Sequence, residues 1–237
     1  MATLKVGAAY PDPPFNGMPD DGGLDIDLMT AIAAKLDMRV EFVAYDGADF
    51  NGIFDALNDG RFGCVAAGTT VTPEREKKAA FAPPYLISGQ ALAVNTRRHP
   101  NVHSVDDLEG LTIGVQQGNT SLPVAQQLVA DGRAAEVRVY DYGSIRAALD
   151  DLRTGGCDAF MKLGPVLTEL VKPVTDVEVV QRGITTENIA VAVRPGDQEL
   201  LARITVAQAE LEEDGMLQRI RRKWLGNPYT DQASGLL

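Results

Sequence analysis

The stretch RFGCVAAGTTVTPER, residues 61–75, decides the reading of the fold. Its apolar half is a strand ending at glycine, and the polar half opens a helix, with Thr72 suited to the N-cap and Pro73 to the first helical position. A strand feeding a helix through a short loop is the repeating unit of an α/β protein, and open α/β sheets bind ligands at loops leaving the C-terminal ends of their strands. The helix start also holds a contradiction. Arg75 falls in the first turn, where the partial positive charge of the helix end favours Asp or Glu. In a chain of formal net charge −11, two accounts are open. Either an anion sits beside Arg75, or Arg75 pairs with Glu74, Glu76 or another acidic neighbour, as surface charges commonly do.

The same alternation extends outward on both sides. TLKVGAAY reads as a strand before a turn-rich PDPPFNGMPDDGG, and Asp25 reads as the cap of IDLMTAIAAKL, whose Leu28, Ile32 and Leu36 share one helical face. RVEFVAY is a further strand and DFNGIFDALNDG a short helix ended by glycine. A second half restarts near residue 104: Ser104 caps VDDLEG, then come strand LTIGV, turn QQGNTS, helix LPVAQQLVADG and strand EVRVYDY. Helix SIRAALDDLRTGG, strand CDAFMKL, helix PVLTELV and strand VEVVQ complete it. IFDALNDG and IRAALDDL echo each other across the halves. ALAVN (91–95) and ENIAVAVR (187–194) read as paired crossover strands, with the last two helices returning to the first lobe. The expectation is α/β: lobe 1 of residues 1–94 plus 187–237, lobe 2 of residues 95–186, and a ligand cleft between them. NPYTDQASGLL lacks a core pattern and reads as a tail.

Composition narrows the function. A length of 237 residues, 45% hydrophobic and 23% charged, suits a globular protein of two lobes. No segment approaches the ~20 apolar residues of a membrane span. The acidic balance argues against nucleic-acid binding, and RIRRKW reads as the solvated face of a helix. Cys64 and Cys157 are too few for a disulfide framework and fall in different sheets, so both are expected as buried thiols. No signal peptide stands at the start, as in a mature form with its leader removed. His99 and His103 are spaced i, i+4, but Pro100 lies between them and no further ligand joins them, so no metal site is expected. Ser88 and Ser144 have no histidine placed beside them in sequence.

The sequence resembles the type II periplasmic solute-binding proteins of ABC importers, family 3, the amino-acid-binding group. The resemblance rests on PPF (13–15), GLDIDL, FNGIFDALNDGRF (50–62), AGTTVTPER (67–75), APPYLISGQALAV (82–94), DDLEGLTIGVQQGNT (106–120), IAVAVRPGDQELLARI (189–204) and DGMLQRIRRKWLG (214–226). It runs collinearly from residue 4 to about 226. It implies a two-lobed clamshell that captures a small carboxylate-bearing ligand for a membrane permease, as a periplasmic or extracytoplasmic monomer without cofactor. By the resemblance, Arg75 of the T-x-x-R motif clamps the ligand carboxylate, aided by Ala67, Gly68 and Thr70. A guanidinium fork suits that task because it donates two parallel hydrogen bonds. From the second lobe come Gln116 and the turn Gly118, Asn119, Thr120, which opens a helix and converges a second positive end on the anion. Phe50 matches an aromatic wall over the ligand.

Two positions depart from the pattern. Where the family places an aspartate for the ligand ammonium, in D-A-x-x-x-D, this chain has Leu163, preceded by Lys162. The first loop holds Ala9, Tyr10 and Asp12 where an Asp and an aromatic precede PPF. In one account Asp12 takes the ammonium and Tyr10 stacks, so the ligand is still an amino acid or amine-bearing derivative. In the other the ligand is a hydroxy, keto or other organic acid, with Lys162 on a second oxyanion. Lys162 also reads as a snorkelling surface residue and Asp12 as an ordinary turn residue. No catalytic set is legible, so the chain is expected not to be an enzyme. A cyclohexadienyl dehydratase-like activity, using Lys162 and Asp12, and a receptor's ligand-sensing domain are the alternatives on this fold.

Overall fold

The computed structural model describes residues 2–17 and 22–226, so the expected tail at 227–237 lies outside the described residues. Along the chain run β1 (Thr3–Ala9), α1 (Leu24–Lys35), β2 (Arg39–Tyr45), α2 (Gly52–Asn58), β3 (Cys64–Val65), α3 (Pro73–Glu76), β4 (Ala80–Phe81), β5 (Leu86–Ser88) and β6 (Gln90–Asn95). There follow β7 (Thr112–Gln116), α4 (Ser121–Ala130), β8 (Glu136–Tyr140), α5 (Ile145–Thr154), β9 (Ala159–Leu163), α6 (Gly164–Val171) and β10 (Val177–Gln181). Strands β11 (Glu187–Ile189) and β12 (Ala192–Val193) and helices α7 (Gln198–Glu213) and α8 (Met216–Leu225) close the described chain. It divides into two units, residues 1–45, 53–86 and 188–237, and residues 46–52 and 87–187. Each contains a mixed five-stranded sheet.

The first unit's sheet has the order β2-β1-β3-β12-β4. β1 lies parallel to both β2 and β3, and β12 runs antiparallel to β3 and β4. Val6 and Ala8 of β1 are buried with Leu28, Met29 and Ile32 of α1 and with Ile53, Phe54 and Leu57 of α2, and burial of such side chains drives the assembly. Helices α7 and α8 both pack on α1. Asp25 does not cap α1 but lies inside its first turn. Gly23 holds the cap position, and the N–H groups of Leu24 and Asp25 donate to the carbonyls of Pro14 and Phe15 instead of to a side-chain cap.

The second unit's sheet has the order β10-β6-β9-β7-β8. β7 is parallel to β8 and β9, and β6 is antiparallel to β9 and β10. Leu92 and Val94 of β6 join Ile113, Val115, Ala125 and Leu128 in one core, while Ala91 and Ala93 join Ile145, Leu152, Phe160 and Leu167 in another. A strand buried on both faces reads as a continuous apolar run rather than an alternation. That is why 91–95 looked like a crossover strand. The paired short strands at the chain crossings are β5 and β11; β6 lies inside the second sheet. Cys64, in β3 of the first unit, and Cys157, two residues before β9 in the second, are free buried thiols, and burial pushes them up to about 12 and about 11.

Candidate functional site

The candidate residues fall into two groups, one in each unit. In the first unit the loop after β3 starts at Ala67, which is buried, and turns at Gly68, whose φ is +56°. A Cβ at Gly68 would stand 3.0 Å from the Phe15 ring, so glycine answers both the positive φ and the close approach. The loop is zipped to the segment entering β12: Thr70 bridges Ile189, Val71 N–H donates to the Asn188 carbonyl at 2.8 Å, and Ala190 N–H donates to the Thr69 carbonyl at 3.0 Å. Thr72 caps α3 as expected, accepting from Arg75 N–H at 3.2 Å, with Pro73 at its start.

Arg75 turns inward. It is buried while Glu74 and Glu76 on either side are exposed. Its Nη1 donates to the Thr70 carbonyl at 2.9 Å, and its guanidinium lies 5.6 Å from the Phe54 ring centroid, a cation–π distance. A cation held among a carbonyl and an aromatic face in the first turn of a helix is oriented rather than solvated.

Tyr10 and Asp12 lie in the loop after β1. Asp12 is buried; its carbonyl accepts from Phe15 and Asn16 N–H at 3.0 Å, and its N–H donates to the Asn16 carbonyl at 2.9 Å. Tyr10 is half-buried, and burial first, then the charge of Asp25, raises its phenol above the ordinary value. Gly68 N–H is already engaged: it donates to the Asp25 carboxylate at 2.7 Å.

In the second unit, Gln116 ends β7 and Lys162 lies in the neighbouring β9. Lys162 is 2% exposed, which overturns its reading as a snorkelling surface residue. Its Nζ donates to Gln116 Oε1 at 2.7 Å and lies 5.6 Å from the Tyr142 ring centroid. Gln116 Nε2 donates to the Tyr142 carbonyl at 2.5 Å, and the Tyr142 ring stands 5.3 Å from Phe50. Phe50, Tyr142, Lys162 and Gln116 thus form one cluster, of which Tyr142 was not anticipated. Its signal was present in YDYGS, an aromatic just past the C-terminal end of β8.

Gly118 has φ +78°, and a Cβ there would meet Asp49 Oδ1 at 2.0 Å and Phe50 N at 2.8 Å. The 118–120 turn is therefore pressed against the segment that carries Phe50. Asn119 Nδ2 donates to Gln116 Oε1 at 3.5 Å. Thr120 precedes α4, but its hydroxyl does not cap that helix. Its hydroxyl donates to Glu187 Oε2 at 2.9 Å and accepts from Gln90 Nε2 at 3.0 Å. Leu163 is buried opposite Gln90, whose Nε2 also donates to Glu187 Oε1 at 2.8 Å. Gln90 and Glu187 are polar core residues that no local pattern announced.

His99 Nε2 lies 2.9 Å from Asp158 Oδ1, and the other oxygen of Asp158 accepts from Thr112 N–H at 2.9 Å. Among the described residues no group of three or more His, Cys, Asp or Glu side chains is arranged to hold a metal ion. No helix among them is long and apolar enough to cross a membrane.

Two α/β units, each with a mixed sheet, define the periplasmic-binding-protein fold, which solved structures of that class share. The chain belongs to the bacterial extracellular solute-binding proteins, family 3, whose family model matches residues 4–227. It is 30% identical over 232 residues to an L-cystine-binding protein of Escherichia coli K12, covering 96% of this chain and 84% of that one. An ancestral arginine-binding protein bound to arginine matches with a TM-score of 0.85 and 36% identity, over 95% of this chain and 99% of that one. An ancestral amino-acid-binding protein, precursor of a cyclohexadienyl dehydratase, matches with a TM-score of 0.81 and 32% identity over 94% and 95% of the two chains. The family is one of binding proteins, and these three relatives are named for binding rather than catalysis.

Proposed function

We propose that this chain captures an amino acid outside the cytoplasm and presents it to the permease of an ABC importer, with Arg75 and Thr70 holding the ligand carboxylate. The observation that carries this reading is the buried guanidinium in the first turn of α3, fixed by the Thr70 carbonyl and the Phe54 ring. Gln116, the Gly118–Thr120 turn and Phe50 supply contacts from the second unit, and binding is accompanied by closure about β5 and β11. The protein works as a monomer. The names of its relatives, cystine- and arginine-binding proteins, support an amino acid as the ligand class.

A second reading is favoured by one cluster. A buried lysine stands beside Leu163 where the family pattern has an acid, and this suits an organic acid with a second oxyanion better than an α-ammonium. A thermal-shift panel separates the two. A ligand at about 100 times its Kd adds about 2.7 kcal/mol, which raises Tm by roughly 5–10 °C in a chain of this size. L-arginine, L-cystine, L-histidine and L-glutamine are set against keto, hydroxy and dicarboxylic acids. Shifts confined to the acids without an amino group refute the amino-acid reading; no shift with any carboxylate refutes both.

A further inference from the structure

Asp25 is fully buried, and among the described residues its carboxyl group is hydrogen-bonded by neutral donors, with no cation among them. It accepts from Tyr85 Oη at 2.5 Å, from Gly68 N–H at 2.7 Å and from Asn16 Nδ2 at 3.3 Å. Burying a carboxyl group is costly unless its oxygens are satisfied, so these three donors explain how the position tolerates one. They come from three separate segments. Asn16 belongs to the loop that carries Tyr10 and Asp12. Gly68 opens the segment leading to Thr70 and Arg75. Tyr85 lies one residue before β5, where the chain leaves the first unit.

The remaining bonds tighten the same knot. Tyr85 N–H donates to the Ile189 carbonyl at 3.0 Å, and Thr70 bridges that same Ile189. Arg221 Nε donates to the Tyr85 carbonyl at 2.7 Å. The ring of Phe15, adjacent to Asn16, closes over Gly68. From Gly68 the connection to the guanidinium is short: two residues on, the Thr70 carbonyl receives Arg75 Nη1.

We propose that Asp25 is a positioning residue for the ligand-carboxylate clamp, its carboxyl group tying Gly68 to Tyr85 so that the Gly68–Arg75 segment is set before a ligand arrives. The proposal rests on reading Arg75 as the clamp. An arm ordered in advance costs less to order on binding, so its affinity depends on the tie that holds it. The role belongs to the acceptor geometry rather than to the charge. Burial, as the largest cause, pushes the Asp25 carboxyl up to about 7, and Tyr10, Asp12 and Tyr85 are the titratable groups near it. An asparagine can reproduce the arrangement, its carbonyl accepting from Gly68 N–H and its amide donating to Tyr85 Oη.

The test uses the full chain, L-arginine as probe, calorimetry well below Tm, and hydrogen exchange read by mass spectrometry. Asp25→Ala is expected to weaken L-arginine at least about tenfold and to speed exchange in residues 66–75, while β1 stays protected. Asp25→Asn is expected to stay within about threefold of the parent chain, a rescue that a loss of general stability does not produce. If Asp25→Ala does not fold, Tyr85→Phe removes one arm of the tie and is expected to speed the same exchange. Unchanged exchange at 66–75 in the variant that folds, or L-arginine affinity within about twofold in Asp25→Ala, overturns the proposal. If the parent chain does not bind L-arginine, the choice of ligand fails, and exchange at 66–75 decides the role of Asp25 by itself.

Discussion

Replacing Asp25 by asparagine should change how stability depends on pH, by an amount that follows from the site. Its carboxyl is pushed from 3.8 up to about 7, chiefly by burial, against the lowering effect of the bonds from Tyr85, Gly68 and Asn16. Between those values the folded state holds one proton more than the unfolded state. The stability from this group is therefore complete below about pH 4 and is lost as pH rises through about 7. At about 1.4 kcal/mol per pH unit, the change between pH 5 and pH 8 comes to about 3 kcal/mol. Asparagine does not titrate, so the parent chain should lose about 3 kcal/mol relative to Asp25→Asn over that interval. Asp107 and Asp214 are lowered by hydrogen bonds, first from the His103 and Met216 N–H groups respectively, and so act in the opposite sense. They are common to both chains and cancel in the comparison. Trp224, the one tryptophan, lies in the same unit as Asp25 with its Nε1 donating to Asp27 at 2.7 Å. Urea unfolding followed by its fluorescence at several pH values gives the difference directly. A difference flat from pH 5 to 8.5 refutes the raised carboxyl; one that grows in favour of the parent chain with rising pH shows that the ionised form is the stabilised one.

Three further outcomes are expected. Arg75→Ala should weaken any carboxylate ligand by about 3 kcal/mol or more, over 100-fold by calorimetry, since the lost contact is charge-assisted; retained tight binding counts against the clamp. Lys162→Met, nearly equal in volume, should reduce binding of a dicarboxylic or hydroxy acid at least about tenfold if the second reading holds, and leave an ordinary amino acid unaffected otherwise. Gly118→Ala should lower Tm by several degrees. It places a methyl 2.8 Å from Phe50 N at φ +78°, and the backbone penalty alone is about 1–2 kcal/mol; an unchanged melting curve refutes the packing of that turn on residues 49–51.

Much of the fold was legible because it is local. Thr72 and Pro73 open α3 and Ser104 caps the short helix at Val105–Asp107, as side-chain capping chemistry requires. The alternation of strands and helices followed from apolar periodicity, and Arg75 stood out because it violates a helix-end charge preference. Where the reading failed, a non-local partner had intervened. Asp25 read as a cap because the donors that make it a buried acceptor lie 43 and 60 residues away, at Gly68 and Tyr85. Residues 91–95 read as a crossover because a strand buried on both faces carries no alternation to mark its place in a sheet.

By itself, the sequence determined the α/β class, the starts of α3 and of the short helix at Val105–Asp107, the family resemblance and the residue types at each candidate position. The tertiary structure decided what those side chains have around them. It buried Lys162 against Gln116 and Tyr142, committed the Thr120 hydroxyl to Glu187 and Gln90, and closed Asp25 on Gly68. The physical reason is range. Capping and periodicity act within a turn or two of the chain, whereas desolvation and hydrogen-bond satisfaction depend on whichever segment packs against the group, however far along the chain it lies.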